Sequence, residues 1–183
     1  MNGIHITVPF DLFILLDEKS SLVDLERGAI DNLPTKKRQY ATDPIQLTGL
    51  KITPFIGTKA LLFRGDAVSD GKNYTPIIMF NNVQFEEEDT PTNLTFMASD
   101  NEEYNIQVIP AKENFCQVRC NCMDFYYRFA LWNFNDGSLY GRKPKPYQKT
   151  TDRPPVNPKK SPGLCKHLMK MGQLLYQTKM IKL

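Results

Sequence analysis

The 183-residue sequence predicts an α+β fold: a β-rich antiparallel sheet or small barrel, a C-terminal helix, and a long proline-rich basic arm. Three observations predict it. Between residues 47 and 110, short β-rich runs alternate with turn residues. Residues 164–181 place Leu164, Leu168, Met171, Leu175 and Thr178 along one helical face. Between them, residues 138–163 hold six prolines, which no helix or central strand accommodates.

Taken in order, residues 4–16 (Ile4, Ile6, Val8, then an apolar run from Phe10 to Leu16) read as a short strand followed by a second strand or a helix start. Residues 20–30 carry Leu22, Val23, Leu25, Glu26 and Ile30 at helical spacing, with Gly28 expected to close the helix. Residues 31–46 read as an exposed loop bearing Lys36, Lys37 and Arg38. The runs LKITPFI, KALLFRG, TPIIMFNNVQF, NLTFMAS and YNIQVIP then form an antiparallel meander, broken at Ser-Asp-Gly, the acidic run and Ser-Asp-Asn. A strand over residues 117–122 precedes an aromatic run, Phe125, Tyr126, Tyr127, Phe129, Trp132 and Phe134, expected to pack beside it. The arm is expected to be extended, with polyproline character. The organisation is one domain: a body over 1–136 with an N-terminal helix, an arm over 137–163, and a helix over 164–183 docked to the body.

Charge divides at the same place. Residues 1–136 carry 12 Lys/Arg against 19 Asp/Glu, whereas residues 137–183 carry 11 against the single acid Asp152. The overall +3 therefore conceals an acidic body and a strongly basic tail. No basic residue lies between Lys72 and Lys112, and seven acids do, including Glu86, Glu87, Glu88 and Asp89. That run reads as a solvated turn, since metal sites draw carboxylates from separated positions. The basic arm suits an acidic surface on a neighbouring copy, or phosphate backbone.

No run of about 18 apolar residues predicts a membrane span. The apolar N-terminus lacks a basic leader and is interrupted by Pro9 and Asp11, so no signal peptide is expected. Without one, Arg64-Gly-Asp66, Asn73-Tyr-Thr75 and Asn93-Leu-Thr95 read as turns rather than as recognition or glycosylation sites. No Gly-rich phosphate loop or Ser/His/Asp arrangement is present, and no enzymatic activity is expected.

The chemistry concentrates in Cys120, Cys122, Cys165 and His167: a C-x-C pair, 42 residues, then C-x-H. Three thiolates and an imidazole make a closed tetrahedral set for structural Zn²⁺. Residues two apart on a strand face one side, which would bring Cys120 and Cys122 together. Residues two apart on a helix diverge, so Cys165 must sit in the approach turn, just after Pro162 and Gly163. The alternatives are reduced, unliganded thiols, or Cys–His catalysis, for which nothing marks one cysteine as a nucleophile. Cys116, four strand positions from Cys120, is too distant to share the ion and reads as a buried thiol, and His5 has no paired ligand nearby.

The C-x-C…C-x-H arrangement resembles the SWIM-type zinc motif, with a spacer longer than its usual insert. More extensively, the stretch from Arg119 through Phe129, Tyr140-Gly-Arg-Lys, Asn157-Pro, and Pro162-Gly-Leu-Cys-Lys-His-Leu resemble a segment of virion structural proteins of tailed bacteriophages, the crAss-like and T4-like groups most closely. The resemblance covers about residues 115–170. It implies a virion protein assembled in the bacterial host cytoplasm, as a ring component of the head–tail connector, neck or tail. Its partners would be copies of itself and other neck or tail proteins, with packaged DNA as a further contact and no membrane. The other reading is a zinc-containing accessory factor that binds nucleic acid or protein.

Overall fold

In the computed structural model of the chain, residues 19–32, 42–145, 152 and 154–183 are described. The expected strand over residues 4–16, His5, and Lys36, Lys37 and Arg38 lie outside them. The fold is α+β.

Its centre is an open antiparallel sheet of β1 (Gln46–Phe55), β2 (Ala60–Ser69), β4 (Pro76–Phe80) and β9 (Cys116–Cys120), in the order β1-β2-β4-β9. β3 (Lys72–Tyr74) pairs with the far end of β2. Among the described residues the sheet does not close, so the barrel alternative gives way to an open sheet. A second antiparallel sheet has the order β5-β7-β6, from β5 (Phe85–Glu86), β6 (Asn93–Met97) and β7 (Glu103–Gln107). The expected meander is thus split between two sheets, and β9 returns to pair with β4.

Alternation selects the core face. Leu61 and Phe63 of β2 face Phe80 and Ile78 of β4, which in turn face Cys116 and Val118 of β9. All six are fully buried, and Phe63 and Phe80 meet edge to face at 6.0 Å. Each buried phenyl contributes about 1.5–3 kcal/mol. Pro76 lies opposite Cys120, so Cys120 belongs to this same face.

Helices cover that face. α1 (Leu22–Asn32) opens with a capping box, in which the Ser21 hydroxyl accepts from Asp24 N–H and the Asp24 carboxylate accepts from Ser21 N–H. Cys116 N–H donates to the Ser20 carbonyl and ties this entry to β9. Gly28 does not end the helix; α1 continues to Asn32, and Gly28 serves close packing against Pro162. α2 (Met123–Arg128) and α3 (Ala130–Asp136) follow β9, and α3 ends at Gly137 in the left-handed region.

α4 (Lys166–Gln177) lays Leu168, Met171 and Leu175 into the core. It is shorter than the expected helix, because Lys179 at φ +60° turns the chain and Ile181 enters β10 (Ile181–Lys182). β10 runs parallel to β8 (Ile109–Pro110).

The described parts of the arm hold no helix or strand, as the prolines require, but both ends are fastened. Leu139 bridges to Val118, and Arg119 donates to the carbonyls of Tyr140 and Arg142. Asn157 is buried and donates to the Arg128 and Ser161 carbonyls.

Three turn readings are corrected. Arg64, Gly65 and Asp66 lie inside β2, Asn73 lies in β3, and Asn93 opens β6. The first and third triplets lie wholly within strands whose neighbours continue the ladder, whereas Thr75 follows the end of β3.

Candidate metal centre

Three elements deliver four donors to one point. Cys120 is the last residue of β9, on the core face. Cys122 is not on the strand. The chain turns after Cys120, and Cys122 becomes the N-cap of α2, its Sγ accepting from Phe125 N–H at 3.3 Å. A strand-to-helix corner, rather than strand alternation, brings the first pair together. Cys165 is the N-cap of α4 and His167 lies within its first turn, the approach-turn geometry that the C-x-H spacing requires.

The ligand atoms of Cys120, Cys122, Cys165 and His167 all lie within 4.8 Å of one another, and all four residues are buried. His167 Nδ1 is 3.9 Å from both Cys120 Sγ and Cys165 Sγ. A tetrahedral ion with metal–sulfur bonds of about 2.3 Å spans ligand–ligand edges of about 3.8 Å. The two 3.9 Å separations match that edge, the other ligand atoms lie within 4.8 Å of one another, and the cluster can hold a metal ion.

Electrostatics favours cation capture. The Cys122 thiol is held far below its ordinary value, by donation from the Cys120 thiol, then from Cys165, with further help from Phe125 N–H. Cys120 is pushed up, chiefly by its hydrogen bond to Cys122, and Cys165 is pushed up by burial. Metal ligation by these thiols would require them as thiolates, so any proton they carry leaves when a cation binds.

Tyr74 of β3 stacks on the His167 ring at 4.1 Å and 27°, fixing the imidazole plane. Nothing in the sequence marks it, since β3 reaches the site only through the β2–β3 turn. Asp124 and Arg128, one helical turn apart, form a 2.9 Å ion pair beside the cluster, and the Asp124 carboxyl is raised by burial against the pull of Arg128. Lys166, between Cys165 and His167, donates to the Ser69 hydroxyl and reaches Asp70 at 3.8 Å, anchoring α4 to β2.

Cys116 stays apart from the cluster as a fully buried free thiol, its ionisation suppressed by burial. The aromatic run divides. Phe125 and Phe129 enter the core, whereas Tyr126, Tyr127 and Phe134 are exposed. Among the described residues no helix is long and apolar enough to cross a membrane.

Comparison with known proteins finds no matching family model, no similar curated protein and no similar solved structure.

Proposed function

We infer that the chain is a structural, non-catalytic protein, in which Cys120, Cys122, Cys165 and His167 hold Zn²⁺ as a staple. The observation that carries this is the convergence of three thiols and one imidazole, all at most 4% exposed, on a point of tetrahedral size. Donors of this softness suit Zn²⁺, and four protein ligands leave no open position for substrate or water. The ion would join the β9–α2 corner to the start of α4, closing the intervening segment that carries α2, α3 and the basic arm. Folding and metal binding are coupled in such a site.

The resemblance over residues 115–170 supports the finer reading, a ring component of a tailed-phage virion at the neck or tail. The uneven charge is in keeping with subunits that meet head to tail. The test is metal and protein content of purified particles. About one zinc per chain, lost in Cys165→Ser together with assembly, is expected. Metal-free chain that assembles normally overturns the staple, and absence of the chain from particles overturns the virion reading.

The accessory-factor reading rests on Lys143, held over the exposed Phe134 ring, with Arg142 and Lys145 exposed next to it in sequence. It requires binding to DNA that weakens steeply with salt.

A further inference from the structure

α2 and α3 bury Phe125 and Phe129 and leave an apolar face in solvent. Met123 is 62% exposed, and Tyr126, Leu131 and Phe134 are 37–38% exposed. Single exposed apolar residues are ordinary, but four on two consecutive short helices, at i and i+3 on each, suit a contact surface. The arm supplies its margin. Tyr126 donates its hydroxyl to the Lys145 carbonyl at 3.2 Å, and Lys143 Nζ lies 5.1 Å over the Phe134 ring. Residues 143–145 therefore border this face, in a segment where Arg142, Lys143 and Lys145 are all exposed. None of the three is in an ion pair among the described residues.

The same chain carries the complement. The β5-β7-β6 sheet and its turns expose Glu87, Glu88, Asp89, Asp100, Glu102 and Glu103. These acids also form no ion pair among the described residues. No Lys or Arg occurs from residue 73 to residue 111 to neutralise them. Met97, at the end of β6, is 56% exposed and offers an apolar contact within this acidic surface.

We propose that the aromatic, basic-edged face of α2 and α3 docks on the acidic three-stranded sheet of a second copy of the chain. An apolar centre with a charged rim is the ordinary anatomy of a protein interface. The two surfaces differ, so the contact is heterologous, and its repetition closes a ring or extends a filament. Aromatic rings near lysines also suit single-stranded nucleic acid. Two features favour protein here. Tyr126 and Tyr127 meet edge to face at 82°, not as parallel stacking platforms, and the aliphatic Met123 and Leu131 complete the patch. The inference deepens the structural reading by naming a contact between subunits. Its failure would leave zinc content and presence in the particle unchanged, so the two can be told apart.

The experiment is sedimentation velocity of the full chain over a range of concentrations, at about 0.05 M and about 0.5 M salt. Average mass is expected to rise with concentration at low salt and to fall back at high salt. Lys143→Glu with Lys145→Glu, and separately Glu102→Lys with Glu103→Lys, should each weaken association at least about tenfold. Mixing the two variants should restore it, because each then meets an opposite charge. Leu131→Asp should weaken it without changing the acidic side. Circular dichroism checks that each variant folds, and the Glu102/Glu103 variant, on exposed turn and strand positions, keeps the test informative if the helix variants do not. A wild-type mass fixed at 21.1 kDa throughout, or reversed-charge variants that associate as well as wild type, overturns the proposal. So does a monomer that binds a fluorescent single-stranded oligonucleotide through Lys143 and Lys145.

Discussion

Gly28 and Pro162 are in direct contact: a Cβ placed on Gly28 would lie 2.3 Å from the Pro162 carbonyl oxygen. The interior of α1 thereby becomes a seat for the end of the arm, where Ser161 Oγ also donates to the Gly28 carbonyl at 3.4 Å. Gly163 repeats the relationship, since its Cβ would meet the Phe129 ring at 2.7 Å and Ala29 N at 3.0 Å. The backbone just before Cys165 can reach the body only because both residues lack a side chain.

Gly28→Ala sets two effects against each other. Alanine in a helix interior gains about 1 kcal/mol over glycine. Overpacking against backbone atoms, which cannot rotate away, costs about 1–3 kcal/mol or more. We expect the second to win, with a net loss of about 1–2 kcal/mol in urea unfolding. Gly163→Ala should also destabilise, and should displace Cys165. A stabilised Gly28→Ala would show that α1 and the arm are not packed this closely.

Cys116 and Cys120 share the core face of β9, but only Cys120 belongs to the Cys/His cluster. Cys116→Ser should retain the full metal content and lose about 1–3 kcal/mol, because a hydroxyl replaces a thiol at a fully buried position. Cys120→Ser should abolish stoichiometric metal. In the wild type, metal uptake displaces thiol protons, so affinity falls as pH is lowered. Elemental analysis of the two variants, with a metal titration at two pH values, checks the distinction. Equal metal loss in both variants would contradict the assignment of ligands.

The donor set was legible in the sequence because so few side chains can hold a soft cation. With four Cys and two His in the chain, a C-x-C and a C-x-H stand out by residue type alone. The local geometry of the first pair was not. A strand through Cys122 and a strand-to-helix corner at Cys122 present the same spacing, and only Phe125 N–H donating to Cys122 Sγ distinguishes them. The amphipathic face of α4 was readable from Leu168, Met171 and Leu175. Its end was not, because the pairing of Ile181 with Ile109 spans most of the body and leaves no local pattern. The two-sheet split of the meander is likewise a long-range choice, made when β9 rather than β5 pairs with β4.

The end of α4 is a Schellman motif without glycine. Lys179 N–H donates to the Tyr176 carbonyl and Met180 N–H to the Leu175 carbonyl, while Lys179 sits at φ +60°. A side chain in the left-handed region costs about 1 kcal/mol, which glycine avoids. Lys179→Gly should therefore raise stability by up to about 1 kcal/mol, read as a higher urea midpoint with an unchanged slope. The gain would be seen at no ordinary helix-interior site, where glycine is unfavourable. A lower midpoint would contradict the motif.

Arg128 and Asp124 form the last contrast. The Arg128 side chain is only 5% exposed, yet among the described residues its guanidinium makes one ion pair, and Nε and Nη1 find no hydrogen-bond partner. Asp124 is 33% exposed on its side chain and keeps some access to water. Removing the carboxylate strands a buried positive charge, so Asp124→Asn should cost about 3–5 kcal/mol. Arg128→Met removes the charge and the two unpaired donors together, fills similar volume, and leaves a carboxylate that can be hydrated or take up a proton. It should cost well under half as much, and combining it with Asp124→Asn should add little. The Asn157 contact should survive in both variants, because it is made to the Arg128 backbone carbonyl. Urea unfolding of the two single variants and the double variant reads the asymmetry. Equal costs for the single variants would mean that the Arg128 guanidinium holds a partner beyond Asp124.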